Sequence, residues 1–269
     1  TEGVITSIPT ANKNEFPLIP KIKEESVITV QGDVLRNGIA QVINSVALSH
    51  SIPEIAGVLF VCEKDVLKIV ATDSFRLSEK TIFKNKTYAV KEEKSFILPA
   101  KTAIELSKIV PLNEERVEIY LTQNQAMFTI KNATIVSRLV AGEYPNYERI
   151  IPKTSTTKVV LNKTEFISKL KLASLFSSKI NDVKITINTN KNEMVLRSAD
   201  QSKGDFSATI HADTSGEDTE ALFNYRYLLD GLSNIAEEDV VFELNGSSSP
   251  AILKTKNDPY QYVAMPIKM

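Results

Sequence analysis

The heptapeptide ATDSFRL, residues 71–77, places an acid, a hydroxyl, an aromatic ring and a guanidinium group in consecutive positions after an apolar run. These groups could serve catalysis, line a binding pocket, or only shape a turn. Catalysis at Ser74 would need a histidine base and commonly a G-x-S-x-G turn, and the neighbouring sequence has neither. As structure alone, Asp73 would cap a turn and Leu77 would return to the core. The residue types therefore leave a turn and a pocket rim open as interpretations.

The composition argues against several other kinds of site. The single cysteine, Cys62, cannot form an internal disulfide and lies in an apolar run, which is typical of a small buried side chain. The histidines, His50 and His211, lie far apart without partners at metal-ligand spacing. We therefore expect no metal, no cofactor and no catalytic residue. Because no signal peptide or long apolar segment is apparent, we expect a soluble cytoplasmic protein.

The elements around the heptapeptide occur twice in the same order. A short strand is followed by a helix over 32–49, several strands, and a second helix over 99–110 that begins at Pro99. The second half repeats this order at a spacing of about 130 residues. The fold class is therefore predicted to be α+β, with two helices and antiparallel sheets in each unit. The strands of the first unit are predicted at 57–62, 66–72, 95–98, 116–122, 126–132 and 133–140.

A third, shorter repeat precedes the first unit. The segment NEFPLIP at 14–20 resembles GEYPNYERIIP at 142–152. This similarity, together with a first residue that is not methionine, predicts that a preceding copy has been cut away. The predicted domains are 1–24, the last strand of the truncated copy and a linker, then 25–153 and 154–269.

Both second helices carry a cation in the first turn and an acid four residues later. Lys101 precedes Glu105, and Arg226 precedes Asp230. One interpretation is a solvated face with i,i+4 ion pairs, and the other is a surface that contacts phosphates. Since the net charge is −1, nucleic acid could be attracted only by cations gathered on one surface. The other helical cations are Lys108, Arg36, Lys163, Lys169 and Lys171.

Three segments together resemble the bacterial DNA polymerase III beta subunit family, the sliding clamps, which have three such domains per chain. The family's ATDGHRL is ATDSFRL here, and its G-[EF]-[FY]-P-[DN]-Y-x-R-[VI]-[IL]-P is matched by Gly142 to Pro152. Its V-M-P-[MI]-[RK]-[LM] ending is matched by Ala264 to Met269, with alanine first. The resemblance covers essentially the whole chain, as the second and third domains plus the end of the first.

The resemblance implies a groove between the last two domains, where short linear peptides from polymerases, the clamp loader and repair proteins dock. The family's Gly-His is Ser74-Phe75 here, and an arginine often found near the groove is Ile52, so the peptide preference is expected to differ in detail. Carried onto this chain, the groove residues are Ile55, Thr72, Ser74, Phe75, Arg76, Leu77, Pro145, Arg149, Ile150, Ile180, Asn224, Tyr227, Ser248, Val263, Met265, Pro266 and Ile267.

The resemblance further implies helices that line a hole around duplex DNA, with sequence-independent phosphate contacts. The cations expected to face DNA are Arg36, Lys101, Lys108, Lys163, Lys169, Lys171 and Arg226. The implied protein is a non-enzymatic processivity factor that closes head to tail as a homodimer, whereas this chain alone is expected to be a monomer. The alternative is a peptide-binding scaffold of the same fold without topological DNA binding.

Overall fold

A computed structural model describes residues 3–12, 27–49, 51–85, 87–111, 116–131 and 133–268. The helices in these residues are α1 (Gly32–Val42), α2 (Ala100–Ile109), α3 (Lys163–Leu175) and α4 (Tyr225–Ser233). The predicted helix over 32–49 ends earlier than expected, and the chain continues as a 3-10 turn at Ile43–Ser45, where β-branched and small polar residues favour the helix less. Within the described part of the chain, no helix is long and apolar enough to cross a membrane.

The strands of the described residues form three antiparallel sheets. The first unit contributes β1 (Val27–Val30), β2 (Gly57–Cys62), β3 (Val66–Thr72), β4 (Arg76–Phe83), β5 (Tyr88–Val90), β6 (Lys94–Pro99), β7 (Val117–Leu121), β8 (Gln125–Ile130) and β9 (Ala133–Arg138). The second contributes β10 (Thr157–Asn162), β11 (Asp182–Asn188), β12 (Glu193–Asp200), β13 (Gly204–His211), β14 (Asp213–Gly216), β15 (Thr219–Asn224), β16 (Asp239–Leu244), β17 (Ala251–Lys254) and β18 (Tyr260–Ala264). The sheet orders are β5-β1-β7-β8-β9, β14-β10-β16-β17-β18-β4-β3-β2-β6 and β13-β12-β11-β15.

Each unit has its own hydrophobic core beneath a pair of helices. In the first unit Leu35 and Ile39 of α1 pack with Leu106 of α2, and in the second unit Phe166 of α3 packs with Leu228 of α4. The apolar residues of α1 recur at helical spacing, so one stripe of the helix is buried while its other side stays polar. The duplication read from the sequence is therefore present as two similar packing units.

The two units share the nine-stranded sheet, because β4 of the first pairs with β18 of the second. Tyr262 lies opposite Ser78 and Val263 lies opposite Leu77. Since successive side chains of a strand point to opposite faces, Ser78 and Tyr262 share one face and Leu77 and Val263 share the other. An ideal Cβ at Gly231 of α4 would contact Tyr262, so the first is the face on which this helix packs, and we call it the helix face.

The opposite face, which we call the linker face, is covered by the connection between the units, residues 139–152. Tyr147 from this linker joins Leu59, Leu77, Ile252 and Val263 in a third apolar cluster that contains residues of both units. The linker therefore seals the junction on the side away from the helices. Residues 4–12 contain no helix or strand. The remainder of the predicted first segment, including the short repeat at 14–20, lies outside the described residues.

Candidate functional site

The heptapeptide forms the turn between β3 and β4, and its polar groups hold that turn together. The carboxylate of Asp73 accepts hydrogen bonds from the backbone N–H groups of Phe75 and Arg76, each at 3.0 Å. The Thr72 hydroxyl donates to the Arg76 carbonyl at 2.7 Å. Ser74 has φ of 77°, in the left-handed region that favours glycine, which accounts for glycine in the family pattern. Asp73 therefore shapes the backbone, as the turn interpretation predicted.

The turn is fixed to the C-terminal segment of the second unit. The Met265 N–H donates to the Phe75 carbonyl at 2.9 Å, and two residues later the Ile267 N–H donates to the Leu222 carbonyl of β15 at 2.7 Å. Asn224, which follows on β15, accepts a hydrogen bond from the Arg226 N–H and caps α4. Residues 263–267 thus connect the turn of one unit to an edge strand and a helix start of the other.

Arg76 crosses the junction on the helix face. Its Nε lies 3.0 Å from Asp73 Oδ2, its Nη1 donates to the carboxylate of Asp230 in α4, and its Cζ lies 4.5 Å from the centre of the Tyr227 ring. Burial disfavours the charge of Arg76, but the Tyr262 oxygen and the two carboxylates outweigh it and raise the pKa of the guanidinium. The charged group is therefore held between the two units.

The i,i+4 ion pairs of the solvated-face interpretation are replaced by other pairs on the second helices. Asp230 takes Arg76 of the other unit as its ion-pair partner, and Glu105 pairs with Lys108 at 3.1 Å rather than with Lys101. Arg226 instead donates from Nε to the Tyr225 hydroxyl at 3.3 Å. Sequence reasoning missed Asp230 as a residue of the junction, since no local pattern connects it to a turn 154 positions away.

Three apolar side chains of the predicted groove are exposed: Phe75 by 61%, Ile150 by 40% and Ile180 by 55%. Leu77 is only 2% exposed and belongs to the cluster on the linker face, so it supports the turn from beneath and does not form its surface. Of the other predicted residues, Ile55, Thr72, Val263 and Pro266 are buried, Asn224, Tyr227, Met265 and Ile267 are half-buried, and Ser74, Pro145, Arg149 and Ser248 are exposed.

Some predicted groove residues lie outside the hydrogen-bonded part of the site. Ile55 lies in the 3-10 turn Pro53–Ala56 before β2, Arg149 lies in the linker, and Ser248 lies between β16 and β17. The bonds that join the turn to residues 263–267 involve none of these three. A cavity of about 850 Å³ between β6 and the linker includes Pro145 but no other residue predicted for the groove.

The predicted DNA-facing cations differ in their exposure to solvent. Lys101, Lys108, Lys171 and Arg226 are exposed, whereas Arg36, Lys163 and Lys169 are half-buried. Lys163 also donates from Nζ to the carbonyl of Ile235, two residues beyond α4, at 2.7 Å. Across the junction, Gln41 of α1 donates to the Asn234 carbonyl at 3.0 Å, and the Asn234 side chain donates to the Gln41 carbonyl at 2.9 Å.

No group of three or more His, Cys, Asp or Glu side chains that could hold a metal occurs within the described ranges. Cys62 lies in the first core, and burial raises the pKa of its thiol to about 12. This agrees with an inert packing residue rather than a nucleophile.

Comparisons with known proteins match both units. The family model described as DNA polymerase III beta subunit, central domain, matches residues 29–146, and that of the C-terminal domain matches residues 148–268. The Beta sliding clamp of Staphylococcus aureus (strain Mu50 / ATCC 700699) is 32% identical over 246 residues, which cover 91% of this chain and 64% of that protein. The chain thus spans less than two thirds of this relative.

Solved structures give the same result for the fold. The crystal structure of the DNA polymerase sliding clamp from Bacillus subtilis superposes with a TM-score of 0.90 at 29% identity, covering 96% of this chain and 68% of that chain. A putative DNA polymerase III beta subunit from Eubacterium rectale superposes with a TM-score of 0.89 at 28% identity, covering 96% and 70%. The paired sheets and helices described above are therefore shared with solved clamp structures.

Proposed function

Because the chain belongs to the DNA polymerase III beta subunit family, we propose that it supplies two of the three units of a cytoplasmic sliding clamp. The clamp encircles duplex DNA without reading its sequence and tethers the polymerase, the clamp loader and repair proteins through short peptides. It performs no chemistry of its own. The observation that carries this proposal is the joint between the units, where β4 pairs with β18 and the sheet continues across the boundary.

The same joint can be repeated at both ends of the chain. By its place in the sheet order, β9 of the first unit corresponds to β18, and β13 of the second unit corresponds to β4. Both β9 and β13 lie at the edges of their sheets among the described residues. An edge strand with unpaired N–H and C=O groups is a template for another strand. The chain therefore offers one edge to a preceding unit and the other to a following one, as a head-to-tail ring requires.

The helices support the same arrangement. Gln41 of α1 makes the contact with the following unit, and the position that matches it in α3 is Leu172. Leu172 and its neighbour on the next turn, Leu175, are exposed apolar side chains. Since exposed leucines grouped on one helix face commonly mark a protein interface, this end of the second unit suits contact with another clamp unit.

Contact with DNA would come from the helix layer. Lys101, Lys108 and Arg226 on the second helices are exposed and can approach phosphates, whereas the net charge of the chain is −1. Phosphate contacts position a protein on DNA without reading bases, and their contribution falls steeply with salt. An open two-unit chain with few such cations should bind linear duplex weakly, and retention should come from ring closure.

Partner peptides would dock where the turn meets residues 263–267. We assign the apolar surface of this site to Phe75, Ile150 and Ile180 because these predicted groove side chains are exposed, with Met265 as an adaptable filler. Thr72 and Tyr227 are the polar residues that would border this surface. The groove thus combines apolar contacts with a few polar groups, as peptide sites commonly do.

Retention on closed DNA tests the ring. A protein that includes a preceding unit, loaded onto nicked circular DNA, should remain bound at raised salt and leave when the circle is cut. Equal retention on circular and linear DNA would contradict topological binding and favour a peptide-binding scaffold instead. Light scattering of this chain by itself at micromolar concentration should give the mass of a monomer. A stable closed dimer would contradict the head-to-tail arrangement.

A further inference from the structure

The groove proposed above is formed by two units, and its shape depends on what holds them in register. Resting on that proposed function, we propose that Arg76 positions the groove by tying α4 of the second unit to the turn of the first, with Asp230 as its partner, and that its guanidinium does not contact the peptide. This assigns Asp230 a role in peptide binding although it lies outside the groove residues.

The surroundings of the guanidinium leave it little capacity for a ligand. The Arg76 side chain is only 13% exposed, and it already meets the carboxylates of Asp73 and Asp230 and the face of the Tyr227 ring. An arginine binds ligands through the N–H groups and the planar face of its guanidinium. In Arg76 both already have partners, namely two carboxylates and an aromatic ring. A peptide would have to displace one of these partners to reach it.

The direction of the Arg76 side chain also argues against contact with the peptide. Arg76 lies opposite Ala264 in the β4–β18 ladder, so it shares the helix face with Ser78 and Tyr262, whereas Leu77 beside it lies on the linker face. Its side chain therefore extends under α4 and away from the cluster of Leu77 and Val263. Arg76 therefore affects the groove surface at Phe75 and Ile150 through the backbone of the turn.

The tie acts on groove residues from both of its ends. In the first unit, the Arg76 N–H and carbonyl are bonded to Asp73 and Thr72, which fix the Phe75 backbone. In the second unit, Asp230 and Tyr227 lie on the helix that Asn224 caps. Breaking the contact between Arg76 and Asp230 frees α4 to shift against the turn, and the spacing of Phe75 from Tyr227 and Asn224 changes with it.

Asp230 is the partner that can be changed with little risk to folding. Its side chain is 41% exposed, so the amide of Asp230→Asn can be solvated, and Arg76 keeps Asp73 as a counter-ion. The duplication also provides a matched control. Glu105 occupies the corresponding position of α2, is likewise exposed, and has Lys108 of its own helix as its ion-pair partner.

The test measures peptide affinity and the separation of the units in the same variants of the 269-residue chain. The probe is a synthetic peptide in which a glutamine is followed by a leucine-phenylalanine pair. Calorimetry gives its affinity, and electron paramagnetic resonance gives the distance between spin labels on Gln123→Cys and Lys191→Cys. The native Cys62 is 1% exposed and stays unlabelled.

Asp230→Asn should weaken the peptide about threefold to fivefold, the effect that a partly exposed ion pair supports, and should broaden the distance distribution. Asp230→Glu should restore both, and Glu105→Gln should change neither. Wild-type affinity in Asp230→Asn, or weaker binding with an unchanged distance distribution, would overturn the positioning role and leave the groove standing. If the wild type binds no peptide, the proposed groove itself fails and the inference fails with it.

Discussion

Truncation of Met265 is the most direct test of the proposed groove. Met265→Ala removes the side chain beyond Cβ but keeps the backbone N–H that donates to the Phe75 carbonyl at 2.9 Å. The connection between the turn and residues 263–267 should therefore survive. What the variant loses is apolar surface and an adaptable thioether at the point where both units meet.

The expected size follows from the burial of Met265 before any peptide arrives. Complete burial of a methionine side chain contributes about 1.5 to 3 kcal/mol. Because Met265 is already half-buried, a peptide can remove only the remaining part from water. We expect Met265→Ala to weaken the glutamine-then-leucine-phenylalanine peptide by about 0.8 to 1.5 kcal/mol, half of the full burial value, which is roughly four- to twelvefold in the dissociation constant.

Isothermal calorimetry of the wild type and the variant measures this difference, and urea unfolding verifies that the variant is folded. Met127→Ala is the control, because Met127 is also half-buried but lies in β8 of the first unit, away from the turn. It should bind the peptide as the wild type does. Equal affinities of the wild type and Met265→Ala would mean that the groove has been assigned to the wrong residues.

Three further predictions concern the framework. Gly231→Ala would place a Cβ 2.5 Å from Tyr262 Cδ1 at the junction, so it should lower the free energy of unfolding by about 1 to 2 kcal/mol in urea titrations, despite the better helix propensity of alanine. Ser74→Val should destabilise by about 1 to 2 kcal/mol because φ is 77° there, whereas Ser74→Gly should not destabilise; equal losses in chemical denaturation would refute the left-handed turn. Cys62, with its pKa raised by burial from 9.0 to about 12, should react with a thiol reagent only after unfolding. Because the folded state disfavours the Cys62 thiolate, the wild type should lose stability relative to Cys62→Ala as pH rises from 9.0 to about 12. A stability difference that instead grows toward acid pH would contradict this prediction.

Much of the framework was predictable because its signals are local or repeated. The strands at 57–62 and 66–72 have the predicted bounds, and the helices α1 to α4 lie where the apolar periodicity indicates, with α1 shorter at its end. Helix and strand periods depend on which side chains neighbour each other along the chain, so one sequence contains them. The duplication indicated the architecture of the two units, and three motifs in order indicated the family.

The sequence by itself thus determined two repeated α+β units, their family and a turn at residues 71–77. Only the tertiary structure decided that Arg76 and Leu77 lie on opposite faces of a sheet shared by both units, that Asp230 pairs with Arg76 and not with Arg226, and that Lys163 donates to the Ile235 carbonyl. Periodicity specifies which face of an element is buried, but an ion-pair partner is chosen by distance in space. Residues 154 positions apart meet only after two separate cores have formed and β4 has paired with β18.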